Sequence, residues 1–240
     1  MMGLMLSRRM RLILLGLFAL GFVLFLPLRL ALGLAGLERL GLSARDVRGD
    51  IWGGSIHDLM LGDMPMGSVN AALSPVQLLT GRIRIDVWRT LGQPDDMKGA
   101  LIVGIGRVGV AGMTGTIPLG DNFAPLPVGS IALDDVSAHF IGQRCSHAEG
   151  RVRAQMAEQV PGLALAQGLS GVATCDGDAL LFPLVSQSGM EKVAVRIWRS
   201  GRYSAEMRVE TADPALAQAL GQVGFAAAGK ARVLMVQGAL

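Results

Sequence analysis

Aromatic residues are scarce in this chain: one tyrosine, three tryptophans and seven phenylalanines among 240 residues. That shortage argues against a large enzyme core and suits thin, repetitive β-structure. No Gly-x-Ser-x-Gly elbow is present, and no plausible general base stands beside a nucleophile. Long low-complexity linkers and blocks of like charge are also missing. Cysteine is limited to Cys145 and Cys175. No acidic residue precedes Glu38, although four arginines do. The formal charge is +3, and Arg8, Arg9, Arg11 and Arg29 supply +4 of it, so the remainder sits near −1. The basic bias is thus confined to the N-terminus, and a nucleic-acid partner is not expected.

What is there begins with an uncharged apolar run from Leu12 to Leu28, directly after Arg8, Arg9 and Arg11. At about 1.5 Å per helical residue, extension to Leu34 spans the roughly 30 Å of a bilayer core, with Arg29 snorkelling. The arginines favour a cytoplasmic N-terminus. The expected organisation is a cytoplasmic segment over 1–11, a transmembrane anchor over 12–34, and an exported β-rich domain over 38–240. A cleaved signal peptide is the alternative, with Gly33-Leu34-Ala35 as a small-x-small site. The length of the run and the positions of Pro27 and Arg29 favour an anchor.

Beyond residue 50 the pattern alternates with period two. Ile83, Ile85 and Val87 alternate with Arg82, Arg84 and Asp86. Leu101–Val110, Ile131–Phe140, Arg151–Met156, Gly171–Thr174 and Ala179–Leu184 are further strands. Val193–Ile197 and Ala205–Val209 flank Ser200-Gly201 as a hairpin, and Lys230–Gln237 is a last strand. Turn signals fall at Gly62-Asp63, Pro94-Asp95, Gly120-Asp121, Asp176-Gly177 and Ser188-Gly189. Short helices are expected at Ser74–Leu79 and Asp213–Leu220, each opened by a capping residue and a proline. The expected fold is mainly β, a curved antiparallel meander shaped as a U-shaped groove, with a sandwich as the alternative.

Several constellations invite sharper readings. Gly104-Ile105-Gly106-Arg107-Val108-Gly109 matches the dinucleotide fingerprint, but glycines and Pro118 keep the following segment out of the helix that the fingerprint needs. No cofactor is expected. Cys145 and Cys175, both exported, suit one disulfide. A zinc set with His139 and His147, or free thiols, remains open. Met60, Met64 and Met66 loosely suggest copper, but gap-filling in a core explains them better. His57-Asp58 and Asp134-Asp135 point to opposite strand faces, so neither makes a catalytic pair. Gly49, Trp52 and Gly54 form a glycine-dense strand start in which Trp52 is expected to be a buried plug.

Leu26-Pro27-Leu28-Arg29-Leu30-Ala31, then Gly49-Asp50-Ile51-Trp52-Gly53-Gly54, then Leu73-Ser74-Pro75-Val76-Gln77-Leu78-Leu79-Thr80-Gly81-Arg82 follow in order. With Cys145 and Cys175, Gly201-Arg202-Tyr203 and the terminal Gly238-Ala239-Leu240, this order resembles the type II secretion system protein N family. The resemblance implies a single-pass inner-membrane protein with a periplasmic β-domain, and no enzyme. It implies an accessory or structural role beside other inner-membrane or periplasmic secretion components. The family is related to AsmA-like proteins, whose β-grooves can hold lipid, so a lipid-binding or lipid-transfer groove is the second expectation.

Overall fold

Among the described residues, sixteen strands hydrogen-bond into one sheet whose pairings are all antiparallel. The computed structural model describes residues 8–35, 42–61, 64–79, 81–89, 96–119, 124, 126–156, 165 and 167–239. Two helices come first, α1 (Arg8–Leu24) and α2 (Leu28–Ala35). The first half of the sheet holds β1 (Leu42–Ser43), β2 (Asp46–Asp50), β3 (Gly53–Leu61), β4 (Met64–Leu73), β5 (Ile83–Arg89), β6 (Met97–Gly104) and β7 (Arg107–Pro118). The second half opens with β8 (Val128–Ile141), β9 (Arg144–Met156), β10 (Leu169–Val172), β11 (Thr174–Asp176) and β12 (Ala179–Ser186). It ends with β13 (Glu191–Trp198), β14 (Arg202–Glu210), β15 (Ala226–Ala228) and β16 (Ala231–Ala239). Short helices α3 (Pro75–Leu79) and α4 (Pro214–Gln222) interrupt the strands. Asp213 caps α4, its carboxylate accepting the Ala215 N–H at 2.8 Å.

Strand order follows chain order, except that β16 lies between β14 and β15, while β2 and β11 pair only with β3 and β12. Neighbours in this order pair antiparallel, so the sheet is an open meander. The expected turns at Gly62-Asp63, Pro94-Asp95 and Gly120-Asp121 lie outside the described residues.

Alternation places one face of the sheet in the core. On β14, Tyr203, Ala205, Met207 and Val209 are buried, while Arg202, Arg208 and Glu210 are exposed. A single apolar cluster collects residues from β8 through β16, among them Phe140, Val152, Leu184, Val193, Met207 and Leu234. Leu220 of α4 joins the same cluster. In the β13–β14 turn, Arg199 donates to the Gly142 carbonyl of the β8–β9 turn. At about 4.8 Å per strand, those turns would stand roughly 15–20 Å apart on a flat sheet. This half of the sheet therefore curls over its own apolar face.

The N-terminal expectation needs correction at one point. Residues 12–34 do not form one helix, because the chain breaks between α1 and α2. Pro27 lacks an N–H, and its ring disfavours helical backbone at Leu26. Pro27 bridges Asp50 instead. Among the described residues no helix is long and apolar enough to cross a membrane.

Candidate functional site

Two segments distant in sequence meet at one end of the sheet. One is Leu26-Pro27-Leu28, between the first two helices. The other is the β2–β3 turn around Asp50–Gly54. Asp50 folds the turn, its Oδ1 accepting the N–H groups of Trp52 and Gly53, each at 3.0 Å. Gly49 has φ of +89°, and a Cβ there would sit 2.6 Å from the Gly53 carbonyl oxygen. Only glycine fits that position. Ile51 is bonded on both sides. Its N–H donates to the Leu26 carbonyl at 3.2 Å, and its carbonyl accepts the Leu73 N–H at 2.7 Å.

Gly54 seats the helical segment. A Cβ on it would lie 2.5 Å from Leu28 Cδ2 and 2.6 Å from the Arg48 carbonyl oxygen. Leu28 is 5% exposed and clusters with Ile56, Val69, Ala71 and Met97. The expected plug, Trp52, is only half-buried, whereas Ile51 is buried. Turn geometry at Asp50 removes Trp52 from the alternating core face, and the space over Gly54 goes to Leu28 from outside the local sequence. Nothing local to residues 49–54 signals that substitution of roles.

The apolar face continues across the first half of the sheet without closing. Ile83 is exposed, and Ile85, Val87, Leu101, Val103 and Val108 are half-buried. Cross-strand pairing sets Ile85 beside Leu101 and then Val110, and Ile83 beside Val103 and then Val108. Met113 packs against both apolar clusters and so joins the two halves. On the other half, a shallow depression over β8–β10 is lined by Asp134, Arg151, Arg153, Ser170 and Val172. Arg151 already bonds Asp134 there at 3.2 Å.

Cys145 and Cys175 are joined in a disulfide, with Cα atoms 5.5 Å apart. The bond spans a fault in the sheet. β10 pairs with β9 as far as Val172, opposite Arg151, and Ala173 N–H reaches the Gly150 carbonyl at 2.9 Å. Beyond that, β11 pairs only with β12, and the disulfide ties it back to β9. Both sulfurs are thereby spent. His139 and His147 face each other across β8 and β9 with rings stacked at 6.1 Å. Among the described residues no group of three or more His, Cys, Asp or Glu side chains could hold a metal ion. Met66 packs into the smaller apolar cluster, Asp58 lies 3.6 Å from Arg45, and His57 contacts Ser55 at 3.3 Å.

One buried acid escaped the sequence reading. Glu191 is 3% exposed and accepts hydroxyl hydrogen bonds from Ser186 at 2.6 Å and Ser188 at 2.5 Å. Its signal would have been an acid in register with buried Val193 and Val195 on the same strand face. The cluster locks the β12–β13 turn.

No curated protein and no solved structure matches this sequence. The family model for type II secretion system (T2SS), protein N, matches residues 40–234, from before β1 into β16. That span includes the seat at Gly54, the open apolar face and the disulfide. The chain belongs to the type II secretion system protein N family.

Proposed function

We propose that the chain is an accessory, structural subunit of the type II secretion machine, held in the inner membrane by its N-terminal apolar segment. Residues 38–240 stand on the periplasmic side as an adaptor for other secretion components. The observation that carries this reading is the family match over nearly all of the sheet. The self-filled core of β8–β16 supports it, because a closed apolar interior leaves edges and outer faces for partners.

The anchor rests on α1. Leu12, Ile13, Leu15, Leu17, Phe18 and Phe22 are all exposed on it, which suits a lipid environment rather than a packed helix. Its uncharged part, Leu12–Leu24, reaches about 20 Å, short of the roughly 30 Å of a bilayer core, so the anchor draws on apolar residues beyond α1 as well. A specific observation also favours a second reading: the half-open apolar face of β5–β7 could take an acyl chain.

One experiment separates them. Gln187 is exposed on the β12–β13 turn, and a Gln187→Cys probe should label in intact spheroplasts. Crosslinking in the same cells should recover other secretion components. Labelling only after lysis would overturn the topology. Recovery of stoichiometric phospholipid without secretion components would favour the lipid groove.

A further inference from the structure

The meander sends every second turn to the same end of the sheet. That end carries the β2–β3 turn at Asp50–Gly53, α3, and the β6–β7, β8–β9, β11–β12 and β13–β14 turns. It is also where the first two helices attach, through Leu26 and Ile51. We propose that this end is a membrane-contacting rim that lies on an anionic phospholipid surface. The proposal rests on reading α1 as the anchor and adds what the exported domain does beside it.

Three apolar tips project from this rim. Ile105 is 102% exposed at the β6–β7 turn, Val76 68% on α3, and Ile141 49% at the β8–β9 turn. Isolated exposed aliphatic residues need no explanation, but three at one end of the sheet, beside an apolar helix, form a pattern suited to insertion at an interface. Glycines bracket two of the tips, with Gly106 at φ +67° and Gly142 at φ +60°. The nucleotide-like glycine motif is therefore the tip of a hairpin.

Positive charge accompanies the apolar tips at this end. Arg82, Arg107, Arg144, Arg199 and Arg202 sit on the rim, and none has a carboxylate partner among the described residues. Its acids are spent within the fold. Asp50 holds the β2–β3 turn, Asp176 pairs with Arg196 at 2.8 Å, and Asp178 accepts the Trp198 indole N–H at 3.0 Å. The far end holds paired cations, Lys192 with Glu210 at 3.2 Å and Arg45 with Asp58 at 3.6 Å, beside Lys98, Lys230 and Arg232, which have no carboxylate partner among the described residues. Guanidinium groups without a carboxylate partner beside apolar tips attract anionic headgroups and hold the tips at the boundary.

Two of the tips, Ile105 and Ile141, are also fixed relative to each other. Gly142 N–H donates to the Gly106 carbonyl at 2.8 Å, and Arg199 donates to the Gly142 carbonyl. Three turns thus move as one body, so insertion of one presents the others.

The test uses the full chain reconstituted into phosphatidylcholine vesicles with and without phosphatidylglycerol. Both native cysteines are bonded, so an environment-sensitive fluorophore reports only from Ile105→Cys or, as the far-end control, Gln187→Cys. In vesicles with phosphatidylglycerol, acyl-chain quenchers should quench the Ile105 probe several-fold more than the Gln187 probe. Arg107→Glu with Arg144→Glu should abolish that difference while circular dichroism stays unchanged. Carbonate extraction of the chain would overturn the anchor reading. An inserted chain whose Ile105 probe stays as wet as Gln187 would overturn the rim alone. Quenching that survives the charge reversal would overturn the role of anionic lipid.

Discussion

The two halves of this sheet obey the same alternation and end in different states. From β8 to β16 most of the apolar face is buried to 9% exposure or less, with Leu184, Val193, Met207 and Val209 each at 0–1%. From β5 to β7 the same kind of face holds Ile85, Leu101, Val103 and Val108 only half-buried. Strand periodicity fixes which face is apolar, but closure depends on what folds over it. The second half curls on itself and gains Leu220 from α4. Among the described residues the first half has the Leu28 seat and the smaller cluster around Ile56, Val69 and Met97.

That contrast can be broken most forcefully by truncation. Leu184→Ala should cost about 2–5 kcal/mol, because the cavity lies in a fully packed site. Leu101→Ala should cost about 1 kcal/mol, since part of its surface stays in contact with solvent. Chemical denaturation of both variants in the same detergent checks the difference. Equal costs would mean that the first half is as closed as the second.

Removal of the disulfide comes next in size. Its residues are 30 apart in sequence, so replacing both cysteines by alanine should cost about 2–4 kcal/mol by the loop-closure account. The loss should localise to β11, which has no ladder pairing with β9, and amide exchange at Thr174–Asp176 would report it. Unchanged exchange there would mean that the β12 ladder alone holds β11.

The seat of the helical segment is a smaller and more local matter. Gly54→Ala should cost about 1–3 kcal/mol by overpacking, and it should speed exchange of the Ile51 amide that donates to Leu26. Leu28→Ala should relieve part of that cost, so the pair should be non-additive by about 0.5 kcal/mol or more. Strict additivity would show that Leu28 does not occupy the space over Gly54. Smallest of all, Asp213→Ala should cost about 1 kcal/mol through loss of the α4 cap, seen as a modest shift in the thermal midpoint.

Much of this architecture was legible in the sequence. The hairpin of β13 and β14 follows directly from Val193, Val195, Ile197, Ala205, Met207 and Val209 around Ser200-Gly201, because both strands are half-buried and regular. The start of α4 follows from Asp213-Pro214. Failures occur where a distant segment decides. Trp52 looked like a plug because the glycines around it leave room, yet Leu28 fills that room from another part of the chain. Residues 12–34 looked continuous because hydropathy ignores what Pro27 does to the backbone. The strand read at Gly171–Thr174 splits at Ala173, opposite Gly150 with its φ of +101°, and a bulge there has no signature in periodicity. Closure of one half and openness of the other were not legible at all, since both carry the same alternating code.

Hydrogen exchange read strand by strand on the intact chain tests that asymmetry most directly. Amides of β12–β14 should exchange only through global unfolding, whereas those of β5–β7 should exchange through local openings at lower free energy. Uniform protection from β5 to β16, lost in a single cooperative step, would contradict a filled half joined to an open one.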